Sequence, residues 1–348
     1  MKTLLFPGDR RVEITDVPVP QPLRDQVQVQ IKAAGLCGSD LHQQFRVPAA
    51  EREGIVVGHH TSPRTIPGHE PAGIVTAVGE GVSTLSVGDR VAVAHVTGCG
   101  HCVACRRGRD IDCVEKVFYG LDRDGAMADF MVAEAKDCVV LPESVSFVEG
   151  AFWACGAGTG YAALTRGGLV AGETVAIVGL GPVGTAAAFF AEKAGARVIG
   201  LDPLAERRAH AQKFGAHHTI DPADPAAQEQ LAELTRGHGA DLVIEASGVA
   251  PGRASTIGIA GIGGRIVFVG LGNRPVEFDI DAVIQKQITC MGSWVFGTPD
   301  LQEMIDSAVD LGISVESMVT FRYGLNDAEK ALAEFDAGSL GKTVFVWD

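Results

Sequence analysis

Three things are scarce in this chain of 348 residues: basic charge, long hydrophobic runs and repetition. Lys and Arg number 29 against 43 Asp and Glu, a formal charge of −14. Such a surface repels phosphate backbones and no basic stripe interrupts it, so nucleic acid is not expected as a partner. The longest uncharged run, residues 174–191, is broken by Gly179, Gly181, Pro182 and Gly184. A membrane helix does not normally carry that cluster, whereas a strand–turn–helix requires it. The first residues, Met-Lys-Thr-Leu-Leu-Phe-Pro, lack the apolar core of a secretory leader. The expectation is a soluble, cytoplasmic protein with no membrane partner. The length suffices for two domains with full cores, and no low-complexity tail is present.

Against these absences stands a dense run of cysteine. Cys99, Cys102, Cys105 and Cys113 are spaced C-x2-C-x2-C-x7-C. Four thiolates this close can converge on one tetrahedral zinc, with bonds of about 2.3 Å. Loops of two residues are too short to be stapled comfortably as a disulfide ladder. Reduced buried cysteines or disulfides are the alternatives. A closed set of four ligands folds a lobe and catalyses nothing, and His101 inside the lobe reads as a surface residue. Arg106, Arg107 and Arg109 give a nucleic-acid finger a local foothold, which the overall charge opposes. Cys138 and Cys290 read as buried filler.

Residues 1–154 are short strands punctuated by Gly and Pro, such as Val27–Ile31, Gly73–Val78 and Arg90–Val93, a β-rich pattern. Over 155–296 the rhythm becomes strand, helix, strand, with nearly continuous apolar strands at Thr174–Val178, Arg197–Leu201, Asp241–Glu245, Arg265–Val269 and Ile288–Gly292. That predicts an α/β domain with a doubly wound parallel sheet covered on both faces. In the tail, 297–348, Thr298 is expected to cap a helix that Pro299 opens. A second helix over Asn326–Asp336 and a strand over Thr343–Val346 follow. The tail has too little core of its own and is expected to pack back onto the first domain.

Gly179-Leu180-Gly181-Pro182-Val183-Gly184 is G-x-G-x-x-G between an apolar strand and a helix of small residues. The first glycine makes the tight turn, the second admits a pyrophosphate, and the third lets helix and strand pack closely. Asp202 ends the next strand, where a carboxylate can bond the adenosine ribose hydroxyls. Its charge opposes a 2′-phosphate, so NAD is expected over NADP. Arg207 and Arg208 could hold that phosphate; the favoured reading places them beside the adenine or in solvent.

Two further segments, Cys37-Gly-Ser39-Asp40-Leu-His42 and Gly68-His69-Glu70, carry metal-competent residues, as does Cys155 in Ala154-Cys155-Gly-Ala-Gly-Thr159. With both cysteine motifs, the glycine fingerprint and Gly88-Asp-Arg-Val91, the whole chain resembles the zinc-containing medium-chain dehydrogenases of alcohol, polyol and threonine type. The resemblance implies a GroES-like catalytic domain completed by the C-terminal tail, with a Rossmann domain between. It implies two zinc ions per subunit. One is catalytic, on Cys37, His69 and Cys155, and one structural, on Cys99, Cys102, Cys105 and Cys113. Glu70 would be the adjacent glutamate that can transiently ligate the metal, and Asp40 would hold the far nitrogen of His69. Polyol dehydrogenases often have glutamate where Cys155 stands, so here the chain looks more like the alcohol and threonine branches.

By the same resemblance zinc acidifies a bound alcohol and the nicotinamide takes its hydride. Ser39 would take the proton, the ribose hydroxyls pass it on and His42 deliver it to solvent. Thr159 would pack against the nicotinamide, and Val269, Gly270 and Leu271 would give the carboxamide backbone contacts. The family pairs subunits through the last sheet strand, so a homodimer or homotetramer is expected. Four residues before Cys99, His95 stands where many alcohol dehydrogenases place an aromatic residue at the substrate pocket. A histidine there offers a hydrogen bond that an alkyl alcohol leaves unpaired. The expected substrate is a secondary hydroxyl on a polyol, cyclitol or sugar, ahead of an amino alcohol and a simple alcohol. The loop over 43–67, with Arg46, Arg52, His59, His60 and Arg64, reads either as a polar lid or as a solvated insertion.

Overall fold

Apolar strands need cover on both faces, and the chain meets that need in the second of its two compact units, Thr159–Val295. The computed structural model describes residues 1–348 apart from 57, 58, 273, 274 and 339, and apart from the side chains at 55, 56 and 59–61. Among the described residues this unit has a six-stranded parallel sheet. Its strands are β1 (Thr174–Val178), β2 (Arg197–Leu201), β3 (His218–Ile220), β4 (Ala240–Glu245), β5 (Ala260–Phe268) and β6 (Thr289–Gly292). They lie in the order β3-β2-β1-β4-β5-β6, the doubly wound arrangement whose order reverses at β1/β4. Ala176, Ile199, Val243 and Ile266 fill one face of the sheet core. Helix α1 (Pro182–Lys193) follows β1 directly.

β5 begins five residues before the expected Arg265. The strand runs through Gly261, Gly263 and Gly264 with a register shift against β4. Backbone packing explains this: a Cβ at Gly261 would lie 2.3 Å from the His238 carbonyl oxygen. Cys290 is corrected as well. It is exposed, because β6 is the edge of the sheet and has a neighbour on one side alone.

The first unit joins Met1–Gly158 to Phe296–Asp348. Its main sheet runs Cys138–Val140, Arg90–Val93, Pro71–Val78, Gln26–Gly35, Lys342–Val346, Val319–Tyr323, with Phe130–Glu134 also paired to Gln26–Gly35. Bulges between Gln26–Gly35 and Pro71–Val78 curl the central pair. Val27, Val29, Ile31, Val75, Val91 and Met131 fill the core. The tail's strand Lys342–Val346 pairs antiparallel with the end of Gln26–Gly35, setting Val344 opposite Gly35.

Cys155–Gly158 lie in this first unit, a few residues past the point where the strand rhythm changes. The helix Phe147–Phe152 runs on into a π-helix, Trp153–Ala157, which is buried throughout. The cap of the helix Thr298–Asp310 is Gly297 and not Thr298; the Gly297 N–H donates to Asp300 Oδ2 at 2.8 Å. Among the described residues no helix is long and apolar enough to cross a membrane.

Candidate active site

The cysteine run folds as a lobe of short 3-10 turns, and the sulfurs of Cys99, Cys102, Cys105 and Cys113 all lie within 4.8 Å of one another. Cys102 and Cys105 Sγ are 3.5 Å apart, and Cys99 and Cys105 Sγ are 4.0 Å apart. A zinc with bonds of about 2.3 Å requires sulfurs about 3.8 Å apart, so the donor set fits that metal. Backbone N–H groups of Cys99 and Glu115 donate to Cys113 Sγ, each at 3.4 Å, as thiolates require. None of the eight cysteines is in a disulfide.

A second cluster gathers Cys37, His69, Glu70 and Cys155, their ligand atoms again within 4.8 Å. Cys37 precedes a single helical turn, and its N–H donates to Asp40 Oδ2 at 2.9 Å. The other Asp40 oxygen faces His69 Nδ1 at 3.2 Å, in ion-pair range though outside hydrogen-bond alignment. That leaves Nε2 of His69 as the nitrogen presented to a metal, with Ser39 Oγ 3.2 Å from it. Cys155 arrives on the π-helix Trp153–Ala157. Two thiols and one imidazole, with a buried carboxylate beside them, are the donors of an open zinc site.

Glu70 has a partner that sequence reasoning missed. Lys342, 1% exposed, donates to Glu70 Oε1 at 2.5 Å and to the Leu36 carbonyl at 2.7 Å. Burial raises the Glu70 pKa to about 8 even though Lys342 opposes it. Gly35 makes room for the pair, since a Cβ there would lie 2.0 Å from Glu70 Oε2. The available signal was a lysine opening an otherwise apolar strand.

His95 is buried beside the cluster, its ring 5.3 Å from that of His69, with Phe118 and Phe296 as further neighbours. Its Nδ1 donates to the Ala154 carbonyl oxygen at 3.0 Å, which makes Nε2 the accepting nitrogen; the tautomer is assigned from this contact. Burial lowers its pKa to about 3, and the nearby His69 adds to the effect.

In the second unit the fingerprint glycines differ as their roles demand. Gly179 has φ 91° and abuts Ser247, while a Cβ at Gly184 would lie 1.9 Å from the Gly179 carbonyl oxygen. A Cβ at Gly181, the cap of α1, would meet nothing within 4 Å. Open space thus faces the N-terminus of a helix of 12 residues, a cradle for pyrophosphate beside Pro182 and Val183. Asp202 is buried and fixed: Oδ2 accepts from Leu180 N–H and Oδ1 from Leu204 N–H, both at 2.9 Å. Arg207 lies 3.8 Å from its carboxylate, whereas Arg208 donates to the Asp202 carbonyl and pairs with Asp221. Thr159 Oγ1 is buried without a hydrogen-bond partner among the described residues, an orphan that a bound nicotinamide would satisfy.

The N–H groups of Val269 and Gly270 both donate to the Glu245 carbonyl, at 2.8 and 3.0 Å, and the Gly270 carbonyl accepts from Arg253. A carboxamide contact from Val269 would therefore be made by its carbonyl and not its amide; Leu271 is exposed. Glu245 was also missed. Its Oε1 accepts the N–H groups of Ser247 and Gly248 at 2.9 Å, bracing the turn after β4.

His42 is exposed on a π-helical turn, Leu41–Phe45. In the loop over 43–67, Arg52 is wholly buried and donates to the Phe6 and Ser62 carbonyls, each at 2.9 Å. Arg46 pairs with Asp336. Two of the loop's cations therefore hold the fold together and form no lid. Arg64 is exposed, and the side chains of His59 and His60 lie outside the described residues.

A fold with an open nucleotide crevice and two zinc-competent clusters defines a metal-dependent dehydrogenase, and comparison with known proteins agrees. Residues 23–143 match the alcohol dehydrogenase GroES-like domain, and residues 182–310 match the zinc-binding dehydrogenase domain. An uncharacterized zinc-type alcohol dehydrogenase-like protein of Escherichia coli, YphC, is 37% identical, with 99% of each chain covered. A probable D-xylulose reductase A of Emericella nidulans is 32% identical over 98% of this chain and 95% of its own. The crystal structure of galactitol-1-phosphate dehydrogenase from Escherichia coli superposes with a TM-score of 0.89 at 27% identity, covering 100% of both chains. The chain belongs to the zinc-containing alcohol dehydrogenase family. It is an oxidoreductase acting on CH–OH donors.

Proposed function

We propose that this protein oxidises a secondary hydroxyl of a polyol, cyclitol or sugar to a ketone, using NAD and one catalytic zinc, with a second zinc structural. The observation that carries the substrate class is His95. Held neutral with Nδ1 tied to Ala154, it presents an accepting Nε2 beside the metal-competent cluster, and a hydroxyl next to the reacting carbon can donate to it. A simple alcohol leaves that nitrogen unpaired, which costs about 1–3 kcal/mol. The names of the relatives, a D-xylulose reductase and a galactitol-1-phosphate dehydrogenase, support the same class.

In this reading Cys37, His69 and Cys155 hold the catalytic metal, and Asp40 steadies His69 through Nδ1. When bound, the zinc acidifies the substrate hydroxyl and the nicotinamide accepts hydride. Ser39 Oγ, 3.2 Å from His69 Nε2, takes the hydroxyl proton as its own passes to the ribose hydroxyls that a bound cofactor would supply, and His42, exposed at the surface, releases a proton to solvent. Glu70, locked to Lys342, is poised to exchange with a ligand at the metal. Asp202, with remaining lone pairs for ribose hydroxyls, selects NAD, and Thr159 orients the nicotinamide.

Eight free thiols suit a reducing, cytoplasmic compartment. The exposed edge of β6, flanked by Ile280 and Ile284 at 60% and 66% exposure, suits pairing with a second copy. The test is NADH formation across matched primary, secondary, polyol and amino-alcohol substrates, repeated with His95→Phe. The reading expects hydroxylated secondary alcohols to lead and to lose that lead in the variant. Highest kcat/KM on simple primary alcohols, unaltered by His95→Phe, would overturn it.

A further inference from the structure

Behind His42 lies a set of contacts that bears on how it handles a proton. The segment Leu41–Phe45 is one turn of π-helix, closed by Arg46 N–H donating to the Leu41 carbonyl at 2.9 Å. Single π-turns recur at functional positions, and this one sets His42 and Arg46 side by side. Arg46 Nη1 lies 3.3 Å from His42 Nδ1. A guanidinium donates and never accepts, so Nδ1 is the acceptor and the ring proton sits on Nε2. The guanidinium is itself held. Its Nε donates to Asp336 Oδ1 and its Nη2 to the Asp336 carbonyl at 3.4 Å, and Asp336 Oδ2 accepts from Arg10 at 2.9 Å. Asp336 closes the helix Ala328–Asp336 in the C-terminal tail, so a residue almost three hundred positions away fixes this fork.

Resting on the reading of His42 as the exit of the proton relay, we propose that Arg46, clamped by Asp336, is a positioning residue. It holds His42 as the neutral Nε2–H tautomer between turnovers; a relayed proton arrives on Nδ1 by displacing the guanidinium and the Nε2 proton leaves to solvent, so the ring still discharges protons below neutral pH. A protonated His42 would turn an N–H toward the guanidinium and lose the contact. Of the surrounding charges Arg46 opposes protonation and two others favour it. Partial desolvation of the ring lowers the His42 pKa first and Arg46 lowers it further, while Cys37 and Asp336 pull the other way; Arg10 stands behind Asp336. The Arg46–Asp336 pair is partly sheltered, with side-chain exposures of 32% and 18%, so solvent screens it incompletely.

Without the Arg46 charge the His42 pKa rises, and the acid limb of kcat/KM moves to higher pH. Zinc-loaded wild type, Arg46→Gln, Arg46→Lys and His42→Gln are compared in NAD-dependent oxidation between about pH 6 and about pH 9. Arg46→Gln should lose activity several-fold more at the low end than at the high end, and Arg46→Lys should recover part of that loss. The 15N shifts of the His42 ring in the unsubstituted protein should show Nε2 protonated and Nδ1 bare in the neutral form. Protonation at Nδ1 would overturn the proposal without any variant. So would a loss in Arg46→Gln by one common factor at every pH, which marks a structural role alone. If His42→Gln leaves rate and pH profile unchanged, the relay reading itself fails, a result distinct from either.

Discussion

His95 is enclosed by His69, Phe118 and Phe296, and that enclosure makes it sensitive to acid. Unfolded, it titrates near the ordinary 6.5; folded, burial holds its pKa to about 3. A depressed pKa contributes stability above the unfolded value and loses it as pH falls toward the folded one. Urea unfolding of the wild type should therefore lose on the order of 1 kcal/mol per pH unit below about 6.5 from this residue alone. His95→Gln should show a shallower decline, and equal slopes would place the acid sensitivity elsewhere. Asp202 offers a second check at this scale. Its carboxylate is immobilised by the Leu180 and Leu204 amides, so its charge sits at one place on the ribose side of the crevice. Replacing it with alanine should erode the preference for NAD over NADP by about tenfold or more, or 1.4 kcal/mol. Cofactor selectivity unchanged in steady-state kinetics would show that Asp202 is not the discriminator.

Elements convert these residues into sites, and the glycine-rich turn before α1 shows the division of labour. A side chain at Gly181 meets nothing within 4 Å, so Gly181→Asp should fold normally yet place a carboxylate where the pyrophosphate binds. Its dissociation constant for NADH, read by fluorescence, should rise about tenfold or more. Gly184→Ala puts a Cβ 1.9 Å from the Gly179 carbonyl and should instead cost stability, about 1–3 kcal/mol. The two cysteine clusters separate in the same way. Cys37→Ser should cut turnover well beyond the roughly 10–100-fold that loss of an outer hydrogen-bond partner causes, with Tm little changed. Cys102→Ser should chiefly lower Tm, because a closed set of four sulfurs contributes folding energy. Elemental analysis of fresh protein should find two zincs per chain; finding one would break the two-cluster scheme.

At the scale of the whole molecule, β6 leaves a sheet edge open, and Ile280 and Ile284 beside it are exposed. Light scattering should report a dimer or tetramer, and Ile284→Lys should shift it toward monomer; a monomeric wild type would contradict this. Much of the rest was legible in the sequence because its signals are local. The spacing of Cys99, Cys102, Cys105 and Cys113 suffices for a tetrahedron, and Gly179, Gly181 and Gly184 lie within one turn, where Gly179 and Gly184 leave no room for a side chain. Apolar runs such as Thr174–Val178 and Arg197–Leu201 carry the parallel sheet in their composition. Other features depend on chain segments that meet only after folding. Lys342 reaches Glu70, Asp336 clamps Arg46, and Arg52 turns inward to the Phe6 carbonyl, none of which a local pattern contains. The amides of Val269 and Gly270 are consumed by Glu245 because two strands lie adjacent in the sheet, not in the sequence. The four-cysteine set and the nucleotide fingerprint were thus determined by the sequence through short-range spacing, whereas Cys37, His69 and Cys155 meet only in the fold. Which charges are buried, which tautomers are held and which backbone groups are already bonded was decided by tertiary packing, since desolvation and hydrogen bonding act between neighbours in space.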